Sequence, residues 1–362
     1  PTVSVQAGTY SEAITIQGTQ TVTIAGPSAS SYAGNQVAIA ASATGGVVSF
    51  NTQKSTGVTF KNVNITNNAA AGTKAPAVNM YGMNMAFYNC ALISTGTGVY
   101  TASFGTTIIA GSYVEGTDKL FYNYITLYVY GSTIVPTANS ASIFYGQGYQ
   151  TGGVWYNSSI VVDSSTVQQK PGLANTYVYL AQPNGNYTDA IFRGTNLGSL
   201  MAPTGVRTTV CSYVAIYGEF ANTGSGAMTS ANAASRNAAC DQSLTSSQVS
   251  SFTIDQLFGH GFAGYSSSDT TWIDSTGTVA SFRASRIRSL TFSSLAIDQE
   301  LRRGTAGECI AIIVRKHDVG LDVLRWVLIC LDILCWVVIC LDVLYCVLIC
   351  LDILCCILIC HQ

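Results

Sequence analysis

A six-residue pattern recurs along the first part of the chain: apolar, any, Asn or Gly, small, any, aliphatic. It reads Phe60-Lys61-Asn62-Val63-Asn64-Ile65, then Phe87-Tyr88-Asn89-Cys90-Ala91-Leu92, then Ile109-Ala110-Gly111-Ser112-Tyr113-Val114. It continues as Val129-Tyr130-Gly131-Ser132-Thr133-Ile134 and Trp155-Tyr156-Asn157-Ser158-Ser159-Ile160. The third positions fall at 62, 89, 111, 131 and 157, so the steps are 27, 22, 20 and 26 residues. Steps of this size mark a solenoid with one coil per repeat. Alternating apolar residues point into a narrow interior, and Asn or Gly at the third position suits a corner that needs positive φ. The pattern predicts an all-β fold, a right-handed parallel β-helix running as a single-stranded solenoid over residues 1 to about 200. A β-sandwich would instead show hairpin turns such as Asn-Gly every 8–12 residues or so. Beyond 200, extended and short helical segments are expected on the outside. Ser243–Phe258 is the helix candidate, with Leu244, Val249, Phe252 and Leu257 as apolar anchors.

The pattern breaks near residue 278. From 321 the chain repeats a ten-residue unit, as in Leu321-Asp322-Val323-Leu324-Arg325 and Leu331-Asp332-Ile333-Leu334-Cys335, up to Cys360. The apolar run is long enough for a membrane span. Asp332, Asp342 and Asp352 interrupt it, each at about 2.5–3.5 kcal/mol near a bilayer centre. Ten residues turn a helix by about 280° modulo a full turn, so the three aspartates do not share one face. The account adopted is a short DNA repeat translated in error. A membrane anchor and a real folded element are the alternatives. The expected organisation is a β-helix domain over 1–276, a linker over 277–320 and a low-complexity repeat over 321–362. Pro1 leads directly into the strand-like Val3-Ser4-Val5, so an N-terminal strand is expected to be missing.

Composition narrows the function classes. Only 9% of residues are charged, Gly numbers 34, and Tyr, at 20, outnumbers Phe and Trp together. This reads as extracellular β structure. The net charge of −2 offers no basic stripe for nucleic acid. Sequons at Asn64, Asn157 and Asn186 suit a secreted chain. Residues 1–276 hold three cysteines, Cys90, Cys211 and Cys240, the other nine lying between Cys309 and Cys360. Three permit one disulfide, and Cys211 with Cys240 is the expected pair by sequence proximity. The histidines are His260, His317 and His361, so a Ser-His-Asp set before the tail has only His260 to use. Metal-ligand spacing is missing from the first segment. Neither a metal nor another cofactor is expected, no membrane partner unless the tail is real, and the expected state is a monomer.

Several local signatures resemble the fungal pectin methylesterases, esterases that hydrolyse methyl esters of polygalacturonate. They are Ala7-Gly8-Thr9-Tyr10-Ser11-Glu12, Gly57-Val58-Thr59-Phe60-Lys61-Asn62-Val63 and Tyr113-Val114-Glu115-Gly116-Thr117. To these are added Tyr217-Gly218-Glu219-Phe220-Ala221-Asn222-Thr223-Gly224-Ser225-Gly226, the most specific of the set, and Trp272-Ile273-Asp274. The resemblance runs from residue 1 to about 276. It implies a β-helix and a chemistry of two aspartates, two glutamines and an arginine. One carboxylate attacks the ester carbonyl, the other protonates the leaving methanol and then activates water. The glutamines stabilise the oxyanion and the arginine orients the nucleophile.

Carried across without gaps from Glu115-Gly116, those five positions fall on Pro76, Thr97, Gly98, Lys119 and Gln182. None keeps the family residue. Asp118 is the only nearby carboxylate, one position from Lys119, and a one-residue offset in a strand faces the opposite way unless a bulge re-aims it. Glu115 matches a structural glutamate. Lys119 is open to three readings: a new nucleophile, a group binding galacturonate carboxylates, or a solvated lysine, the plainest of the three. Tyr100, Phe104, Tyr122 and Trp155 are the candidate substrate-binding residues, with Tyr177 and Tyr179 nearby. The bland alternative for each is a place in the core. The reading is a secreted protein of pectinesterase type that binds pectin in cell walls and has lost esterase activity. An esterase rebuilt around Asp118 or Lys119 and a non-catalytic structural wall protein are the alternatives.

Overall fold

A computed structural model of the chain describes residues 1–17, 21–50, 55–151, 153–173, 177–207, 211–259, 270 and 272–273. His260, Asp274 and the expected linker and repeat from 277 onward lie outside the described residues.

The chain winds as a parallel β-helix. One sheet carries Val58–Lys61, Val78–Tyr88, Tyr100–Ala110, Phe121–Tyr130, Ser158–Asp163, Thr188–Arg193 and Val214–Phe220 in neighbouring order. A second sheet takes the return passes Val37–Ala41, Val63–Asn67, Ala91–Thr97, Tyr113–Asp118, Thr133–Pro136, Thr166–Val167 and Asn196–Leu197. Pairing in both sheets is parallel, as in Phe87↔Ile109 and Leu92↔Val114. Among the described residues the one antiparallel pair is the hairpin Tyr149–Thr151 with Val154–Tyr156.

The corner between the sheets behaves as the pattern requires. Asn62, Asn89, Gly111 and Gly131 have φ of 55°, 54°, 60° and 54°. Each N–H donates to the next coil, for example Asn89 to the Ala110 carbonyl at 3.0 Å. The small residue that follows faces inward and builds a second ladder. The Cys90 N–H donates to Ser112 Oγ (3.0 Å), that of Ser112 to Ser132 Oγ (3.1 Å) and that of Ser132 to Ser165 Oγ (3.1 Å). The fifth expected corner is corrected. Asn157 is not among the positive-φ residues and precedes the strand Ser158–Asp163, whereas Ser164 (φ 49°) turns the corner, followed by Gly194 and Ala221. The hairpin before Asn157 mimics the pattern, and the true corner uses a Ser that the Asn-or-Gly rule passes over.

The solenoid also runs past residue 200, because Val214–Phe220 pairs with Thr188–Arg193 and Gln242–Ser243 pairs with Val214–Phe220. The single helix expected at Ser243–Phe258 is two short ones, Ser246–Ser250 and Ile254–Gly259. Thr245 and Gln248 form a capping box on the first. The buried anchors are Leu244, Val249, Ile254 and Phe258, while Phe252 and Leu257 are only partly buried. The expected Cys211–Cys240 disulfide is formed.

Two details place the site. The long strands Val78–Tyr88, Tyr100–Ala110 and Phe121–Tyr130 run unbroken, whereas the coil after them divides into Ala141–Gly146 and Ser158–Asp163. Register slips mark the mid-strand bend, where a Cβ at Gly105 (φ 128°) would stand 1.6 Å from the Gly82 oxygen. The outward residues of the C-terminal halves are apolar, Ala86, Ile108, Tyr128, Val161 and Ile191, and the C-terminal segment covers them. Arg193 fastens that cover. Buried at 2% exposure, it pairs with Asp163 (2.7 Å) and donates to Tyr128 Oη and to the Val249 carbonyl (3.1 Å). The outward residues of the N-terminal halves are different in kind.

Candidate functional site

Those N-terminal halves align in register as Asn79↔Thr101↔Tyr122↔Tyr145↔Gln182, one residue per coil. Four of the five are half-buried and Thr101 is buried. Neighbouring strands lie about 4.8 Å apart, so the row runs along the solenoid axis. The alternate residues point in, where Val78, Tyr100, Phe121, Phe144 and Ala181 stack in the core.

Tyr100 therefore leaves the set of groove candidates. Its side chain is 0% exposed, and its hydroxyl meets Thr107 Oγ1 at 2.5 Å and Met80 Sδ at 3.0 Å. Burial pushes that phenol well above its usual pKa. The Phe104 side chain lies outside the described residues. Tyr122 faces out. Trp155 is 43% exposed on the hairpin and stacks on Tyr187 at 5.3 Å. Tyr177 is exposed, and Tyr179 lies under Arg207, 5.7 Å from ring centre to guanidinium carbon.

Four of the six positions singled out for chemistry share one corner. Thr97 and Asp118 are register partners at the ends of adjacent strands. The next residues, Gly98 (φ 81°) and Lys119 (φ 48°), make the turn into the first sheet, and the Gly98 N–H donates to the Asp118 carbonyl at 2.9 Å. Gln182 belongs to the outward row and accepts from Ser142 Oγ at 3.2 Å. Pro76 is buried, its carbonyl held by Asn67 Nδ2 at 2.8 Å, so it does not join them.

Asp118 is a brace. Its Oδ1 accepts the Lys119 N–H at 2.8 Å and the Ser142 N–H at 3.0 Å, tying this coil to the next. Glu115 is held too, accepting from the Tyr113 hydroxyl and pairing with Lys170 at 2.6 Å. This is the structural role expected of it.

Cations and rings gather beside that corner. Tyr122 and Tyr145 stack with centroids 5.1 Å apart and planes 16° from parallel. Lys119 Nζ lies 4.2 Å from the Tyr145 ring centroid and Lys74 Nζ 4.7 Å from that of Tyr122. Each such contact contributes about 0.5–1 kcal/mol at an exposed site. Lys119 is thus neither freely solvated nor placed beside a base. The rings also stand at a shallow surface dip, completed by Tyr124, Gly146, Gln147 and Asn184. The Tyr145 hydroxyl donates to Asn184 Oδ1, Asn184 Nδ2 to Gln147 Oε1 (3.2 Å) and Gln147 Nε2 to Tyr124 Oη (2.9 Å). Burial and the neighbouring phenols raise the Tyr124 and Tyr145 pKa values, so both hydroxyls stay protonated. Flat rings edged with amides and hydroxyls suit a sugar, whose faces are apolar and whose rim is polar.

The sequence reading missed Lys74, Tyr145, Gln147, Asn184 and Arg207. Tyr145 had no clean signal, since Ile143 and Phe144 are both buried and the alternation breaks just before it. Lys74 had none, because it reaches Tyr122 across coils whose pairing the sequence does not display. No cluster of three or more potential metal ligands occurs among the described residues. Nor, among them, is any helix long and apolar enough to cross a membrane.

The chain is a parallel β-helix whose middle coils carry an outward row of rings. The pectinesterase family model matches residues 2–261, and the chain belongs to that family. It is 26% identical over 291 residues to a probable pectinesterase A of Neosartorya fischeri, covering 76% of this chain and 81% of that protein. Pectinesterase A of Emericella nidulans is 26% identical over 239 residues, covering 63% and 71%. Among solved structures, the pectin methylesterase of Aspergillus niger superposes with a TM-score of 0.58 at 22% identity, covering 67% of this chain and 81% of that one. The carrot pectin methylesterase gives 0.59 at 18%, covering 71% and 83%. At these identities the solved structures speak to the fold, which is the parallel β-helix.

Proposed function

We propose that this pectinesterase-family chain binds pectin outside the cell without hydrolysing its methyl esters. One observation carries the reading. The corner where the resemblance places both working carboxylates holds Gly98 and Lys119, and the acid that remains, Asp118, has Oδ1 committed to two backbone N–H groups. An ester cannot be attacked there without a free ionised carboxylate, nor methanol expelled without a partner acid. The oxyanion donors and the arginine are replaced as well, by Pro76, Thr97 and Gln182. Losing a single oxyanion donor costs about 10²–10³ in rate.

The stacked Tyr122–Tyr145 pair and the exposed Trp155–Tyr187 pair supply sugar platforms. The sequons at Asn157 and Asn186, both on exposed backbone beside the hairpin, support a secreted chain. The test is methanol release from methyl-esterified pectin, run beside an affinity measurement on the same polymer. Binding with no methanol above a heat-inactivated blank is expected. Robust turnover would return the function to hydrolysis, with Asp118→Asn the first variant to make. Absence of binding would leave a structural wall protein.

A further inference from the structure

We propose that the corner and the outward row select the free-acid form of the galacturonan chain over its methyl ester. The proposal rests on the pectin-binding reading above and gives that site a ligand class, an anionic polymer of sugar acids.

The argument is one of charge placement. The whole chain carries a net charge of −2, yet Lys74 and Lys119 lie over the stacked rings of Tyr122 and Tyr145, with Arg207 over Tyr179 on the following coil. Asp118 keeps its negative charge at that corner, its Oδ1 accepting two backbone N–H groups, so two ammonium groups stand against one carboxylate there. Among the described residues neither Lys74 nor Lys119 pairs with an acid. Each is held against a tyrosine face, which orders the ammonium and leaves further N–H donors for an anion. The lysines also stand on different coils. Lys74 bridges to Thr97, and Thr97 pairs with Asp118, the neighbour of Lys119. Two coils separate the two attachment points by about 9.6 Å along the axis. The ring row runs the same way, so a polymer laid along the tyrosines passes both ammonium groups in turn. Esterification removes the charge these groups would meet. The amides of Asn79, Gln147, Gln182 and Asn184 add donors and acceptors for hydroxyls, which separates a sugar acid from a polyanion recognised by charge alone.

The test uses the full chain and three probes: fully de-esterified oligogalacturonate, the same oligomer fully methyl-esterified, and heparin. Affinities are measured by calorimetry at low and moderate salt. The free acid should bind at least about 5-fold more tightly than the ester, and the gap should close as salt screens it. Lys74→Gln and Lys119→Gln should each weaken free-acid binding by about 2- to 5-fold, the range for exposed charge pairs. They should weaken ester binding by less than free-acid binding, so that the acid-over-ester ratio falls. Lys61→Gln, at the opposite end of the first-sheet strands, controls for the loss of one charge. Equal affinity for acid and ester overturns the selectivity and leaves pectin binding standing. Heparin binding as tightly as the free acid overturns it in favour of a general polyanion surface. Failure to bind either oligomer sinks both this proposal and the reading beneath it.

Discussion

Placing the family residues at the matched positions tests the proposal that this chain binds pectin without hydrolysing it. Lys119→Asp is the milder step, since φ of 48° is a conformation that Asp tolerates. It forfeits the contact with the Tyr145 ring, about 0.5–1 kcal/mol, and sets a second carboxylate beside Asp118. Gly98→Asp is harsher. At φ of 81° a side chain is strained, and the new Cβ would meet Thr101 Cγ2 at 2.9 Å. A left-handed residue costs about 1–2 kcal/mol, so the pair should lose about 2–3 kcal/mol of stability before any catalysis is gained. For a chain of this size that is a fall in melting temperature of about 3–5 °C. Neither change supplies the arginine missing at Gln182 or the donors missing at Pro76 and Thr97. In methanol-release assays Lys119→Asp should stay at the blank, and Gly98→Asp/Lys119→Asp/Gln182→Arg should reach a trace at most. Linked catalytic groups fail as a unit. Strong turnover from Lys119→Asp alone would refute the reasoning, because it would mean that the oxyanion and acid functions survive in residues assigned no such role.

Three further outcomes follow from buried groups. Arg193→Met should cost about 3–5 kcal/mol in urea unfolding by orphaning Asp163, while Arg193→Met/Asp163→Leu should recover most of it; a double variant as unstable as the single would show that the ion pair is not the cause. Burial pushes the Cys90 thiol up to about 12, so the native protein should resist iodoacetamide at pH 8 and react at Cys90 only in denaturant; rapid native alkylation there would contradict the packing. Burial also raises the Asp189 carboxyl, against hydrogen bonds from Ser159 and Asn157. Its contribution to stability is full below the unfolded value of about 3.9 and is lost as pH rises through the folded one. Asp189→Asn should therefore gain urea stability relative to wild type between pH 4 and pH 7, and a pH-independent difference would refute this.

The corners were legible in the sequence because positive φ admits few residues. Asn62, Asn89, Gly111 and Gly131 announce themselves, and the small residue after each follows from the narrow interior. Ser164 did not, since a corner held by hydrogen bonds from both neighbouring coils can impose positive φ on an ordinary residue. Facing was harder than position. Tyr100 and Tyr122 both follow a corner, yet Tyr100 pairs with Phe121 and so points inward while Tyr122 points out. A single step of register decides which. The groove depends on contacts such as Lys74 with Tyr122 and Lys119 with Tyr145, which join different coils. No local pattern records how many residues a coil takes to return.

The same geometry explains how side chains at this corner can change while the fold stands. At this corner the backbone asks only for a left-handed residue that closes a hydrogen bond to the next coil. Gly98 meets that demand with its N–H on the Asp118 carbonyl, while the Lys119 N–H goes to Asp118 Oδ1, which also takes the Ser142 N–H of the next coil, so neither bond needs the side chain at 98 or 119. The outward side chain at Lys119 is therefore free to change sign while the inward stack of Tyr100, Phe121 and Phe144 stays intact. A solenoid stacks its coils through the inward residues and the corner ladders. Its outward row is the part of the sequence that selection can rewrite with the least cost to stability, and in this chain a row of rings and ammonium groups stands where the family resemblance places carboxylates.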